Sequence, residues 1–228
     1  MLNTARVSRA EVAPTWLIPK PTSGAKNRLF CFPYAGGDAW TFRHWPGRMP
    51  TGTEVCSVLL PGRWGRLQEE PFNAMQPLVE ALANGLKEAF DVPFSFFGYS
   101  LGALIAFELT RHCRRQGFPM PNCVFIGACP APQRPRKRTH LRALPEADFI
   151  REISSRYRPI PAAVLEDKEL LAVTTRVMRA DLSVVETYQY RQEEPLAVPM
   201  VALGGIMTHS YRERSSKHGP SKLWTAFP

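Results

Sequence analysis

Val92-Pro93-Phe94-Ser95-Phe96-Phe97-Gly98-Tyr99-Ser100-Leu101-Gly102 runs from an apolar strand pattern into a helical one that continues to Arg115. Strand, sharp turn carrying Ser, then helix is the setting that raises a G-x-S-x-G match to a nucleophile elbow. The turn is tight, and a Cβ at either flank would clash with strand or helix, so Gly98 and Gly102 are the elbow glycines. Ser100 is the candidate nucleophile. Its Oγ is expected to stand clear of the sheet at the positive end of the helix, where the Leu101 amide can donate to a developing oxyanion. The plain alternative is a Gly/Ser turn without chemistry, and both flanks argue against it.

Working outward, Arg28-Leu29-Phe30-Cys31-Phe32 is a short apolar strand, punctuated by Pro33-Tyr34-Ala35-Gly36-Gly37. Glu54 to Leu60 is a second strand, closed by Pro61-Gly62-Arg63. Met75 to Phe90 has helical periodicity, with Leu78, Leu82 and Leu86 on one face. The Phe94 strand and the elbow helix follow, then a strand over Asn122 to Gly127. Strand and helix alternate across residues 54–128, which predicts an α/β fold: a mostly parallel sheet with helices on both faces. Residues 1–27 read as an irregular arm. From residue 130 to 190 the pattern changes to amphipathic helices with no strand between them (Glu146 to Arg156, Ala162 to Leu165, Lys168 to Tyr188). We read that block as an inserted lid over the strand ends, the alternative being ordinary sheet-covering helices. The core then comprises residues 28–129 and 191–205, ending on the strand Pro199 to Gly205.

At 228 residues the chain fits one domain, or one domain with an inserted subdomain, and its apolar content of 44% is enough for a sizeable core. No apolar run is long enough to cross a bilayer, and Met1 to Pro14 lacks a secretory pattern. Five cysteines without metal-ligand spacing suggest reduced thiols in a cytoplasmic protein, with Cys31, Cys56 and Cys123 in apolar runs. The formal charge of +9 is partly local, with Arg134, Arg136, Lys137, Arg138 and Arg142 crowding one segment. That segment is a candidate docking patch for an acidic partner, or else a solvated loop. No aromatic-interleaved basic groove points to nucleic acid.

A Ser hydroxyl needs a base to take its proton and a carboxylate to orient that base. A second oxyanion amide is expected from the loop after the early strand, at Ala35, with Tyr34 the weaker candidate. His112 is on the same helix as Ser100, 12 residues on, so it lies about 18 Å away along the axis and cannot be the base. His44 lies near the loop after the early strand and could contact substrate, though a structural role fits better, and His140 in the basic segment reads as solvated. Asp38 can cap the helix after the Gly pair. By chain order alone, His209 or His218 could join Asp148, Asp167 or Asp181 in a triad, though the positions do not match the fold's geometry. Asp181 reads better as a structural polar contact.

Up to about Gly205 the chain resembles the type II thioesterases of polyketide and nonribosomal peptide assembly lines, free-standing α/β-hydrolases related to the medium-chain acyl thioesterase of fatty acid synthesis. The resemblance rests on Leu29 to Gly37, Leu60-Pro61-Gly62-Arg63 and Phe96 to Gly102, with support from Leu144-Pro145, Arg179-Ala180-Asp181 and Val185-Glu186-Thr187-Tyr188. Tyr99 departs from it, since the family usually has His before the nucleophile, and a small effect is expected. The resemblance implies hydrolysis of acyl groups from the phosphopantetheine arm of acyl or peptidyl carrier proteins. It also implies a Ser100 acyl-enzyme, no metal or other cofactor, and a monomer. A general carboxylesterase or lipase, and a non-catalytic carrier-binding remnant, are the competing readings. Carrier proteins of this kind are acidic, which suits the basic segment.

The tail departs more seriously. The family's catalytic Asp follows the strand matching Pro199 to Gly205, commonly as Asp-Pro, and its His lies in a later Gly-Gly-His segment. Here no Asp follows Asp181, and residues 206–228 show no pattern for a completing strand and helix. Reading the codons from the third base of Gly205 turns Met207-Thr208 into an obligatory Asp. It also permits Asp-His-Asp-Pro-Phe-Leu-Ser, which resembles the family. The expectation is a frameshifted tail, a missing C-terminal strand and helix, and impaired stability and activity in the chain as written. Codons incompatible with that shifted peptide would eliminate the idea.

Overall fold

Short apolar runs become the sheet. In the computed structural model, which describes residues 15–134, 139–157 and 159–204, six strands line up in one sheet. They are β1 (Leu17–Ile18), β2 (Asn27–Phe32), β3 (Thr53–Val58), β4 (Phe94–Tyr99), β5 (Val124–Gly127) and β6 (Met200–Leu203), in the spatial order β1-β3-β2-β4-β5-β6. All neighbours from β3 to β6 pair in parallel, and β1 alone is antiparallel, on β3. The expected α/β order therefore holds. One boundary is corrected: the arm read as irregular through residue 27 contains β1, whose Leu17 and Ile18 oppose Val58 and Ser57. Two residues are too few to show an alternation.

Alternate residues of the central strands feed two cores. Phe30, Phe32, Cys56, Phe96, Val124 and Ile126 face α1 (Met75–Leu86) and α2 (Leu101–Gln116), which pack on each other over one face. Edge-on contacts of Phe30 with Phe90, Phe94 and Phe96, at 5.5 to 5.9 Å, fill the middle. On the other face Cys31, Val55 and Phe97 meet Phe42 and Trp45, from the 3₁₀ turns Ala39–Phe42 and Pro46–Arg48 and the link between them. That face is thus covered by 3₁₀ segments among the described residues. Asp38 caps the first of these turns, accepting from the Trp40 amide at 2.9 Å, as read from the sequence.

Helix α2 is the axis of the molecule. Every residue from Leu101 to Cys113 is buried. The helix ends where Gly117 turns left-handed (φ 70°) and its N–H returns to the Cys113 carbonyl, with Arg114 and Arg115 in the last turn. Glu193 gathers Arg111, Arg114 and Arg115 at 2.7 to 2.8 Å, which pins the segment leading into β6 along this helix. At the opposite end of the sheet Arg28 is almost fully buried. It donates to Glu54, Asp91 and the carbonyls of Thr22 and Ala89, so it ties together the starts of β2, β3 and β4.

After β5 comes a separate helical block: α3 (Glu146–Arg156), α4 (Ala162–Glu166) and α5 (Lys168–Thr187). These match the helices expected from periodicity to within two residues. The block has its own small core of Leu141, Phe149, Ile153, Met178 and Leu182, and the Arg179 guanidinium lies 4.1 Å over the Phe149 ring. The tail expected at 206–228, with His209 and His218, lies outside the described residues.

His112 gives a pH prediction. It is buried on α2 and stacked on Phe118, and its Nδ1 has no partner among the described residues. Burial, with a further contribution from Arg115, holds its pKa below the usual histidine value. The folded protein favours the neutral ring, so the unfolded chain takes up the proton first. Stability is therefore full above about pH 6.5 and is lost as pH falls below it. Urea melts should show this slope between about pH 7 and pH 5, and His112→Gln should abolish it. The acid-side loss from carboxylates such as Glu69, held low by its hydrogen bonds with Arg66, should remain.

Candidate active site

The elbow forms as its glycines require. Ser100 sits between β4 and α2 at φ 56° and ψ −111°, a combination that costs an L-residue about 1–3 kcal/mol. Its amide donates to the Gly127 carbonyl of β5 at 2.8 Å, while Ala103 and Leu104 N–H groups return to its own carbonyl. A Cβ on Gly98 would lie 2.2 Å from the Gly102 oxygen, and one on Gly102 would lie 2.0 Å from the Phe32 oxygen. The first turn of α2 therefore rests directly on the chain leaving β2. That contact brings the 33–37 loop beside Ser100. Ser100 is half-buried, and its side chain does not cap the helix. Leu101 is buried in the first turn, where helix amides have no intrahelical partner.

The loop after β2 is gripped from outside. The Gly37 amide closes a turn on the Tyr34 carbonyl at 2.8 Å, and the Gly36 amide donates to Asp181 Oδ2 at 2.7 Å. Among the described residues, the amides of Tyr34 and Ala35 donate to no protein acceptor, which suits the expectation of an oxyanion donor there. Arg63, at the end of the Leu60-Pro61-Gly62-Arg63 stretch, makes a two-pronged ion pair with Asp181 and donates to the Gly37 carbonyl at 2.7 Å. Gly36 is left-handed (φ 74°), and the Met178 sulfur of α5 occupies the space a Cβ would need. Tyr99, the departure beside the nucleophile, lays its ring edge-on to Tyr34 at 6.1 Å.

Sequence reading placed Asp181 as a structural contact without a partner. Its signal was there: an acid on the apolar stripe of α5, among Val177, Met178, Leu182 and Val184, needs a buried cation. The other carboxylates allowed by chain order are occupied away from Ser100. Asp148 pairs with Arg151, and Asp167 caps α5 through the amides of Glu169 and Leu170. His112 is a packing residue, and His44 and His140 are exposed. Of the basic segment, Arg134 is exposed, while Arg136, Lys137 and Arg138 lie outside the described residues. Arg142 is partly committed, donating to Ser183 Oγ at 2.9 Å beside Glu186.

Cys31, Cys56, Cys113 and Cys129 are buried, Cys123 is partly buried, and all five are free thiols. Burial pushes Cys56 and Cys113 up to about 12, so neither is a reactive thiolate. Among the described residues no group of three or more His, Cys, Asp or Glu is placed to hold a metal. No described helix is long and apolar enough to cross a membrane.

Residues 27–225 match the thioesterase domain family. The gramicidin S biosynthesis protein GrsT of Aneurinibacillus migulanus is 42% identical over 183 residues, which is 80% of this chain and 71% of that protein. The RedJ thioesterase from the prodiginine pathway of Streptomyces coelicolor is similar in structure, with a TM-score of 0.71 at 34% identity, over 81% of this chain and 72% of that one. The type II thioesterase BorB from the borrelidin biosynthetic cluster gives a TM-score of 0.73 at 27% identity, over 90% and 85%. The likeness extends well beyond the elbow, through sheet, loops and helical block, and it makes this chain a member of the thioesterase domain family, of the type II kind, on an α/β-hydrolase fold.

Proposed function

We propose that this protein hydrolyses acyl thioesters held on the phosphopantetheine arm of acyl or peptidyl carrier proteins, as an editing or release step in nonribosomal peptide or polyketide synthesis. The observation that carries the reading is the strained Ser100 backbone, wedged between Gly98 and Gly102 at the start of α2 and beside the 33–37 loop. Ser100 Oγ attacks the thioester carbonyl carbon. The carbonyl electron pair moves onto oxygen, and the Leu101 and Ala35 N–H groups donate hydrogen bonds to that oxyanion. A general base takes the Ser100 hydroxyl proton in that attack; collapse then breaks the C–S bond, the proton passes to sulfur so that the arm leaves as a thiol, and the acyl group stays as an ester on Ser100. Water repeats the attack and releases the acid. No metal or other cofactor takes part in these steps.

The helical block, residues 130–190, serves as the lid. Arg134 with Arg136, Lys137 and Arg138 meets the acidic carrier, and the enzyme works as a cytoplasmic monomer. The base and its orienting carboxylate belong, in the family pattern, to segments after Gly205. The tail there carries neither Asp-Pro nor Gly-Gly-His. Turnover by the chain as written is therefore slow, and restoring the shifted reading raises it by several orders of magnitude.

A carrier-bound acyl thioester should be cleaved faster than an oxygen ester of equal acyl length. Competition kinetics with both substrates on the frame-restored chain check this. Equal rates would mark a general carboxylesterase instead.

A further inference from the structure

The bonds that hold the loop after β2 come from residues far apart in the chain. We infer that Asp181, acting with Arg63, is a positioning residue for the oxyanion site: it fixes the 34–37 loop so that the Ala35 amide faces the elbow. This rests on the reading of Ser100 as nucleophile and deepens it.

The geometry is a clamp. Asp181 Oδ2 accepts from the Gly36 amide at 2.7 Å and from Arg63 Nη1 at 3.1 Å, and Oδ1 accepts from Arg63 Nη2 at 2.8 Å. Arg63 Nη1 reaches on to the Gly37 carbonyl at 2.7 Å. The loop is thus held at one N–H and at the next residue's C=O by a pair whose side chains are only 4% and 8% exposed. Low exposure strengthens such charge-assisted bonds.

The grip acts where aim matters. Gly36 has no side chain to fix its peptide planes, and at φ 74° it occupies a region open to glycine from either side. With the carboxylate gone, Gly36 and Gly37 can rotate, and the adjoining Ala35 peptide rotates with them. Hydrogen bonds weaken steeply once the donor angle drops below about 120°. A donor that misses the oxyanion is worth little, and losing one costs about 10²–10³ in rate. Asp181 also lies on α5, part of the helical block, whereas Arg63 lies on the loop after β3. The carboxylate therefore ties α5 to the loop that carries the Ala35 amide, adding to the Gly37–Tyr34 turn bond within the loop itself.

The test is the equilibrium affinity of an alkyl boronic acid, with the chain as it stands. Boron takes the Ser100 oxygen as a fourth ligand, the hydroxyl proton passes to solvent, and the anionic tetrahedral adduct places an oxygen where the oxyanion would form. Affinity then reads the amides without needing turnover. Asp181→Ala should bind about tenfold to a hundredfold more weakly, with Asp181→Asn between it and the parent. Both should keep the parent's near-UV circular dichroism. Unchanged affinity in folded Asp181→Ala overturns the positioning role and leaves the Ser100 reading standing. Weakening that only tracks lost near-UV signal in both variants also overturns it, because it marks a merely structural contact. If the parent shows no binding that Ser100→Ala abolishes, the nucleophile reading fails, and the positioning role goes with it.

Discussion

Ser100→Ala should remove thioester hydrolysis while leaving the fold in place. In a variant carrying the proposed shifted reading after Gly205, kcat should fall by about 10³-fold or more, and any turnover by the chain as written should drop to the solution background. The size follows from what the hydroxyl does. In the proposed mechanism it is the atom that bonds the carbonyl carbon, so its loss would remove the acyl-enzyme route and leave only what amides and binding can contribute. The fold should survive because the Ser100 backbone, not its side chain, makes the structural bonds, to Gly127, Ala103 and Leu104. Alanine accepts φ 56° no better than serine, so the melting temperature should move by only a few degrees. Hydrolysis of a carrier-bound thioester and a thermal melt, read side by side, check both halves. Residual activity within tenfold of the parent would remove Ser100 from the mechanism.

Gly102→Ala should do the reverse and destroy the fold first. A Cβ there would lie 2.0 Å from the Phe32 oxygen, 2.5 Å from the Phe32 carbonyl carbon and 2.7 Å from the Pro33 oxygen. All three are backbone atoms. Phe32 ends β2 opposite Gly98 of β4, so relief requires moving a central strand or the first turn of the buried helix. We expect a loss of about 3 kcal/mol or more in urea unfolding, with activity falling alongside. The sign is the diagnostic point. Inside an exposed helix, Gly→Ala stabilises by about 1 kcal/mol. Gly47→Ala, where nothing lies within 4 Å, is the control and should be close to neutral. A neutral Gly102→Ala would mean that α2 does not rest on β2, and the shared wall of the site would be lost.

How legible the site was depends on the range of its contacts. The elbow was readable because its chemistry is local: strand, two glycines five residues apart including both ends, and helix occupy one short run. The turn that carries Ala35 was readable, since a glycine pair after a strand marks one. What Arg63 and Asp181 do was not readable, because they are 118 residues apart and meet only through folding. Arg28 was missed for the same reason. An arginine at the head of a strand is ordinary until Thr22, Glu54, Ala89 and Asp91 converge on it. The strand β1 escaped notice because two residues carry no period.

The amino-acid sequence by itself determined the order of strands and helices, the elbow with its serine, the separate helical block, and that residues 206–228 contain neither Asp-Pro nor Gly-Gly-His. Each is written in periodicity or residue type over a short stretch, where local conformational preference decides. Only the tertiary structure decided which amides of the loop after β2 are already committed, and that a helix from the block after β5 holds that loop in place. Those are matters of sheet order and buried charge pairing. They come from packing between segments with no local relation, where a desolvated carboxylate must find its cation wherever the fold delivers one.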